Sequence, residues 1–419
     1  MTVLHQWRHG SLPTPATAAA IAGIIARDTA LPTLDAVLDP VERRGAVADV
    51  SLITRLRYKP GSSIVAALAH PSATGVTGTS WIAAYADPAK AGKTLARARR
   101  SGFSARPVEG IPGVLVGETC ADRTLSLPLA TIRSREPELF AAATVLRHNP
   151  HRRVVFRSAL RGIAVLLKVS AEDGAAGPDG AHRSGPIGST AARQSALNTL
   201  ERGGIAVLRP GALHGLPGVE TVPWWGRGDL AAIPDPYAAR TAGQHLAVLH
   251  NAPPADFLQL AGAVDHTIAA REAAQVIATL LPGLADHAAH LAATLGRIAE
   301  ALPPRRRTLV HGDFSPDQVL VGRGEVRLID FDRAGIDCAE RDLGSFAASA
   351  ELLGRPELTR ELITGYTGAD APIDETRLHY FTALALMQRS VEPFRTHTRD
   401  WAASTTRILD LVEREAALC

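Results

Sequence analysis

The feature that most constrains this chain is the thirteen-residue stretch LVHGDFSPDQVLV, residues 309–321. Apolar residues at both ends of the stretch indicate two strands that enter a protein core. Between the strands lie His311, Asp313, Asp317 and Gln318, whose side chains are costly to bury without partners. A chain that interrupts buried strands in this way either positions these groups for chemistry or caps a hydrogen-bonded turn with them.

The residues that follow predict a hairpin. Residues 322–325 have the composition of a turn, and a strand then returns and stops at Asp330. If Val321 faces Val326, the register places Gln318 beside Asp330, because the Cβ atoms of cross-strand neighbours lie about 4.5–5.5 Å apart. An amide oxygen and a carboxylate then converge, with a second carboxylate further up the loop. Hard cations such as Mg²⁺ prefer oxygen ligands of this kind.

An internal repeat organises the first half of the chain. LRYKP at 56–60 precedes two strands, a helix and a Pro-Gly turn with a further strand, and the same order follows LRHNP at 146–150. This shared order predicts a duplicated β-rich module, with chance similarity between two β-meanders as the alternative. Lys168 of the second copy aligns with Ala84 of the first. Only the second copy carries a Gly/Ser/Pro-rich insertion, residues 173–190, which is predicted to be a loop.

The remainder of the chain, from about residue 235, has mostly helical periodicity that the hairpin interrupts. A chain of 419 residues is also too long for one ordinary hydrophobic core. The sequence therefore predicts three units: an N-terminal module at 1–135, a second β-rich lobe at 140–224 and a helical lobe at 225–419.

Composition argues against several classes of protein. No apolar run approaches the roughly 20 residues of a membrane helix, so no membrane partner is expected. Three cysteines, odd in number and widely spaced, favour neither a disulfide framework nor a zinc site, and fit a reducing cytoplasm. A net charge of +3 and few aromatic residues disfavour nucleic acid as a partner. Residues 87–94 resemble a P-loop, but Asp87 replaces its first glycine and would repel phosphate.

The motifs together resemble the aminoglycoside phosphotransferase and choline-kinase-like family over about residues 144–395. The resemblance lies in the HGD…Q loop at 311–318, the IDFD strand end at 329–332, AVLH at 247–250 and the Asp-Leu pair at 342–343. It implies an α+β chain with the two-lobed protein-kinase-like fold. The extra N-terminal β-rich module would repeat the N-lobe of that fold.

The resemblance implies an ATP-dependent kinase that acts on a hydroxyl group of a small molecule and uses Mg²⁺. Asp313 would accept or orient the hydroxyl proton, and Lys168 would contact the α- and β-phosphates. Gln318 and Asp330 would hold Mg²⁺. Gln318 stands where most relatives have Asn. The resemblance there is closer to maltokinases and glucosamine kinases, whose loop ends in Gln, and either amide oxygen can bind a hard cation.

The resemblance also assigns residues to the nucleotide. Backbone groups of the hinge, including Val222 and Trp224, would face adenine. Gln194 stands where the family usually has a Glu that pairs with the strand lysine. Gln194 can accept a hydrogen bond from that lysine but brings no charge to it.

Three acids follow the proposed metal strand: Asp337, Glu340 and Asp342. They are expected either to attract a cationic acceptor or to stabilise the start of the helix that follows. The candidate acceptors are sugars, amino sugars and aminoglycoside-like molecules. The alternative from another class is a non-catalytic kinase-like binding protein, and the sequence does not fix the oligomeric state.

Overall fold

The computed structural model describes residues 52–59, 61–72, 75–108, 112–171, 190–213, 215–253, 266–369 and 371–419. The first 51 residues of the predicted N-terminal unit lie outside this part of the chain. So does the predicted insertion, except for its last residue, Thr190.

Two five-stranded antiparallel sheets lie in the first half of the described chain, and they share one strand order. The first sheet contains β1 (Leu52–Lys59), β2 (Ser63–Ser72), β3 (Gly75–Tyr85), β4 (Ala105–Pro107) and β5 (Val114–Glu118), in the order β1-β2-β3-β5-β4. The second contains β6 (Thr144–Asn149), β7 (Arg153–Leu160), β8 (Ile163–Ser170), β9 (Gly211–Ala212) and β10 (Val219–Pro223), in the order β6-β7-β8-β10-β9. The common order confirms the predicted duplication.

In each copy a helix connects the third strand to the fourth. The helices of this half are α1 (Pro88–Arg100), α2 (Ser126–Arg135), α3 (Pro137–Ala141) and α4 (Thr190–Arg202). Asp87 caps α1, because its side chain accepts a hydrogen bond of 2.8 Å from the backbone N–H of Ala89. The stretch that resembles a P-loop is therefore an ordinary capped helix start.

The strand registers correct the alignment of Lys168 by one residue. Lys168 pairs with Val155 in the second sheet. Val65, which follows LRYKP as Val155 follows LRHNP, pairs with Ala83 in the first sheet, and the fifth strands give the same correspondence. Ala84 lies on the opposite face, because a shift of one residue along a strand turns the side chain to the other side of the sheet. The first sheet still carries alanine where the second carries lysine.

The face of the first sheet that corresponds to the Lys168 face is filled by protein. Val65, Trp81, Ala83 and Leu115 are each at most 2% exposed. They belong to the same hydrophobic core as Val154 and other residues of the second sheet. The first sheet thus buries this face against the second sheet. The corresponding face of the second sheet, which carries Lys168, lines a cleft instead.

Helices dominate the described chain beyond residue 235. They are α5 (Pro236–His250), α6 (His266–Leu280), α7 (Ala285–Ala301), α8 (Glu340–Leu352), α9 (Pro356–Thr367), α10 (Glu375–Arg389), α11 (Glu392–Arg395) and α12 (Trp401–Ala416). None of the described helices has the length and apolar character that a membrane crossing requires.

The predicted hairpin is present in the predicted register. The short strands of this half are β11 (Gly228–Asp229), β12 (Thr308–Val310), β13 (Val319–Val321), β14 (Val326–Leu328) and β15 (Gly335–Asp337). Val321 pairs with Val326, and the backbone N–H of Ile329 donates to the carbonyl of Gln318 at 3.0 Å. The hairpin therefore brings Gln318 beside the end of β14, as the apolar pattern predicts.

The N-terminal module also contacts the helical lobe. Arg55 forms an ion pair with Glu392 at 2.6 Å. The Tyr58 ring lies 6.4 Å from that of Phe394, in an edge-to-face arrangement. Phe394 and Trp401 share a hydrophobic core with β2 and β3. The module therefore bridges the second sheet and the helical lobe.

Candidate functional site

A cleft of about 350 Å³ lies between the second sheet and the end of the β13–β14 hairpin. Lys168 and Val222 line it from the sheet, and Gln318 and Asp330 line it from the hairpin. Trp224 lies in the connection between the lobes and also lines the cleft. Five residues that the sequence predicts for nucleotide and metal binding thus surround one cavity.

Lys168 and two hairpin carboxylates form the centre of this cleft. The Lys168 ammonium lies 2.9 Å from Asp330 Oδ1 and also donates to Asp332. Arg153 adds a second cation, 3.5 Å from Asp330 Oδ2. The sequence motif contained Asp332, but sequence reasoning assigned it no role and missed Arg153. Period-two alternation could have found Arg153, since it lies on the same face of β7 as Val155, the partner of Lys168.

The two hairpin carboxylates have opposite pKa shifts. Burial would raise the pKa of Asp330, but the nearby Lys168 and then Arg153 outweigh burial and hold that pKa well below its usual range. Burial and the negative charge of Asp330 raise the pKa of Asp332. Asp330 therefore remains ionised at a lower pH than Asp332 does. An ionised carboxylate is what a cation requires of this ligand.

The backbone at Asp330 supports this assignment. Asp330 has φ of 63° and ψ of 52°, in the left-handed region that few non-glycine residues adopt. The strand stops there, and the chain turns into a short 3₁₀ helix, Phe331–Arg333. Such strained positions cluster at functional sites.

The donor set fits a magnesium ion that shares its coordination with phosphates. Within the described chain, no group of three or more His, Cys, Asp and Glu side chains could hold a metal without other ligands. Mg²⁺ is usually bound by one or two carboxylates together with substrate phosphates and water. Asp330 and Asp332 supply carboxylates. The Gln318 amide nitrogen lies 3.5 Å from Asp317, so the Gln318 carbonyl oxygen remains for a cation.

The structure places Gln194 differently from the prediction. Its side chain is exposed and donates to Asn198 at 2.9 Å, so it does not meet Lys168. Arg193 is the residue of α4 that faces the cleft, 2.6 Å from Glu220 and 3.3 Å from Asp332. The apolar stripe of α4 predicts this orientation, because successive residues differ by about 100° around a helix. Among the described residues, Lys168 pairs with Asp330 and Asp332, and the Arg193–Glu220 pair lies beside it.

The hinge offers fewer free backbone groups than expected. The backbone N–H of Trp224 donates to the carbonyl of Ala164 at 2.9 Å, so it is already engaged within the sheet. The Trp224 ring packs against Arg157, whose guanidinium carbon lies 4.9 Å from the ring centroid. Val222 is half-buried and lines the cleft. The side chains of Val222 and Trp224 therefore form an apolar wall of the cleft.

Asp313 lies in the loop between β12 and β13. Its side chain is 46% exposed, and its Oδ2 lies 3.5 Å from the Arg333 guanidinium. Gly312, the preceding residue, has φ of 84°, and a Cβ there would lie 2.0 Å from the carbonyl oxygen of Arg333. Only glycine permits this close approach, which fixes the loop against the residues that follow Asp330.

Asp342 holds this loop from below and does not contact solvent. Its carboxylate accepts hydrogen bonds from the backbone N–H groups of His311 at 2.6 Å and Gly312 at 2.8 Å. A ring nitrogen of His250 lies 3.1 Å from the same carboxylate, and the other ring nitrogen meets the Tyr366 hydroxyl at 2.9 Å. This buried network explains why AVLH and Asp342 accompany the HGD loop.

The expectation that Asp337, Glu340 and Asp342 attract a cationic acceptor is not supported by their positions. Asp337 is 4% exposed and contacts His266 and Arg341. Glu340 is fully buried and pairs with Arg305 at 2.6 Å. Like Asp342, both acids are paired with other side chains inside the protein. Burial of this kind does not follow from local sequence, because it depends on which helices cover the segment.

Removing the carboxylate of Asp342 should destabilise the protein. Asp342→Ala would leave three donors without their buried acceptor, and we expect a loss of about 3–5 kcal/mol in the free energy of unfolding. Urea unfolding followed by circular dichroism measures this loss. Asp410→Ala, at an exposed position of α12, is the matched control and should change stability by less than about 0.5 kcal/mol. Equal stability of both variants would contradict the network.

Comparison with known proteins gives a family match. A family model described as the phosphotransferase enzyme family (APH) matches residues 140–380. Among curated proteins, none matches the chain.

Solved structures give weak overall similarities. A spectinomycin phosphotransferase crystallised with ADP and spectinomycin is 14% identical, with a TM-score of 0.48, over 66% of this chain and 92% of that one. A choline/ethanolamine kinase family protein from Mesorhizobium loti is 15% identical, with a TM-score of 0.46, over 70% and 98%. A choline kinase from Streptococcus pneumoniae is 12% identical, with a TM-score of 0.48, over 69% and 98%.

Proposed function

The chain belongs to the phosphotransferase enzyme family, and from this premise we propose that it transfers the γ-phosphoryl group of ATP to a hydroxyl of a small molecule. Membership makes it a small-molecule phosphotransferase with the two-lobed protein-kinase-like fold, preceded by a module that repeats the N-lobe. One observation carries the proposal: Lys168 on the sheet meets Asp330 and Asp332 on the hairpin across a single cleft.

The cleft residues suit the demands of phosphoryl transfer. The protein must position the phosphates and the hydroxyl, and it must stabilise the negative charge that the transfer involves. Lys168, Arg153 and Arg193 supply three cations that now neutralise hairpin and strand carboxylates. Phosphates entering the cleft would take over these cations, and the released carboxylates would be available to a metal.

The hairpin would hold Mg²⁺ through Asp330 and Gln318, with Asp332 nearby. When bound, Mg²⁺ would screen the charge of the phosphates. Asp313 would accept a hydrogen bond from the acceptor hydroxyl and orient its oxygen toward the γ-phosphate. Its exposure, 46%, leaves it accessible to an acceptor that enters from solvent.

An ADP-release assay tests the proposal. Purified protein with Mg·ATP should release ADP when supplied with one of a panel of sugars, amino sugars, aminoglycosides, hydroxy acids or sugar phosphates. Nucleotide binding without turnover on every panel member would favour the alternative, a non-catalytic kinase-like binding protein.

The chain should bind one nucleotide, beside Lys168. The matching face of the first sheet has Ala83 where the second has Lys168, and that face is buried against the second sheet. A structure with a non-hydrolysable ATP analogue should therefore contain one nucleotide, and calorimetry should give a stoichiometry near one. Two equivalent sites, or density against β3, would contradict this prediction.

A further inference from the structure

A second cavity, of about 510 Å³, lies where the N-terminal module, the β6–β7 turn and the helical lobe meet. Its size is in the range that holds small ligands. Its charged lining residues are five cations and one acid: Arg55, Arg57, Lys59, Arg152, Arg395 and Glu272. Such an excess of one sign in a concave site attracts ligands of the opposite sign.

Internal ion pairs offset only part of this charge. Glu392 binds two of the arginines, Arg55 at 2.6 Å and Arg395 at 2.8 Å. Arg57 donates to the backbone carbonyl of Pro150 at 3.2 Å and forms no ion pair within the described chain, and the charge of the buried Asp122 offsets its own charge only from a distance. The cavity therefore keeps cationic character after its internal pairs are counted.

Arg152 is the cation whose charge is least offset. It forms no ion pair with any residue of the described chain, and its side chain reaches solvent. Partial desolvation, and after it the charges of Arg57 and Arg395, lower the pKa of Arg152 to about 10. Like charges are brought together here at an electrostatic cost that an anion would relieve.

The turn that carries Arg152 is held by the N-terminal module. Asp122, which is 1% exposed, accepts a hydrogen bond from the backbone N–H of His151 at 2.8 Å. It also lies 3.0 Å from a ring nitrogen of His148. The module thus fixes the β6–β7 turn and contributes Arg57 and Lys59 to the same cavity. Both copies of the β-rich module therefore supply cations to this cavity.

The cavity adjoins the cleft between the second sheet and the hairpin. Arg152 lines the cavity, and the next residue in the chain, Arg153, lines the cleft and lies 3.5 Å from Asp330. A molecule seated in the cavity therefore lies next to the cleft that would hold the phosphates of ATP.

We propose that this cavity binds the anionic group of the acceptor, so that the kinase acts on a hydroxyl compound carrying a phosphate or a carboxylate. The inference rests on the proposed function and narrows its acceptor to anions. Guanidinium groups suit this task because they bind phosphate and carboxylate oxygens with two parallel hydrogen bonds. A cationic aminoglycoside or a choline-like alcohol would meet repulsion at the same place.

Binding without nucleotide tests the cavity independently of catalysis. Calorimetry with a hexose 6-phosphate, the corresponding hexuronic acid and the parent hexose should show binding of at least one anion and weaker binding of the parent hexose. Arg152→Gln and, separately, Arg57→Gln should weaken that binding about 10- to 100-fold, the loss expected for a charge-assisted contact. Arg240→Gln is the control, because Arg240 pairs with Glu361 elsewhere on the helical lobe.

Comparison of the two anions identifies the group that is bound, and rising ionic strength should weaken binding. Thermal unfolding of each variant establishes that it is folded. Absence of anion binding, or equal anion binding by the wild type, Arg152→Gln and Arg57→Gln, would overturn the inference.

Transfer from ATP separates this inference from the proposed function. Faster ADP release with the anionic compounds than with the parent hexose or an amino sugar supports the inference. Transfer to neutral or cationic acceptors at equal or higher rates would overturn it and leave the kinase function intact. Anion binding with no transfer to any acceptor would overturn both, because the cavity would then serve no acceptor.

Discussion

Asp313→Asn is expected to lower the rate of phosphoryl transfer at least about 100-fold while leaving Mg·ATP affinity nearly unchanged. The substitution keeps the shape of the side chain but removes the charge that would hold the acceptor hydroxyl, and loss of a positioned acid–base group typically costs 10²-fold or more. Because the side chain is half-exposed and paired only loosely with Arg333 at 3.5 Å, the fold should tolerate the change. Steady-state ADP release gives the rate, and calorimetry gives the affinity.

Asp410→Asn, on the exposed surface of α12, is the matched control and should keep the wild-type rate. A rate above about a tenth of the wild type in Asp313→Asn would show that another group orients the hydroxyl. A parallel loss of ATP affinity would place Asp313 at the nucleotide instead of the acceptor.

Asp330→Asn should remove the dependence of ATP affinity on magnesium. Asparagine tolerates the left-handed backbone that Asp330 adopts, at φ of 63°, so the turn should be preserved. The variant loses a carboxylate that would bind the cation and also the charge that holds Lys168 at 2.9 Å. We expect Mg·ATP affinity to fall at least about tenfold, the lower end of the range for a contact to a charged group.

Calorimetric titration of ATP with magnesium and with EDTA measures this loss directly. Gln318→Asn is the informative comparison, since it keeps an amide oxygen one methylene closer to the backbone and should have a milder effect. An unchanged difference between the magnesium and EDTA titrations in Asp330→Asn would refute the metal site.

Local pattern predicted the elements around the site well. The apolar runs on both sides of the turn at residues 322–325 predicted a hairpin in which Val321 faces Val326, and these two residues do pair. The repeated order of strands predicted two sheets of common topology, which the structure confirms. These features are local, because strand spacing, turn composition and alternation are carried by a few consecutive residues.

Contacts between distant segments were predicted less well. Gln194 and Arg193 are neighbours in sequence, and Arg193 faces the cleft because the apolar side of α4 packs against the protein core. The alignment of Lys168 with Ala84 failed by one residue for the same reason, because the register that assigns Ala83 is set by pairing across the sheet. If a predicted alignment is wrong by one residue, the side chain is assigned to the wrong face of the helix or sheet.

The sequence by itself determined the family, the duplicated sheet and the hairpin that places Gln318 beside Asp330. Only the tertiary structure decided what the remaining charges do. It buries Asp342 beneath the HGD loop, where its carboxylate binds two backbone N–H groups. It also gathers Arg57 and Arg152 into one cavity, although 94 residues lie between them in the sequence. The physical reason is that the partner of a charge is fixed by distance in space, and electrostatic energy depends on distance and burial, which sequence spacing does not encode.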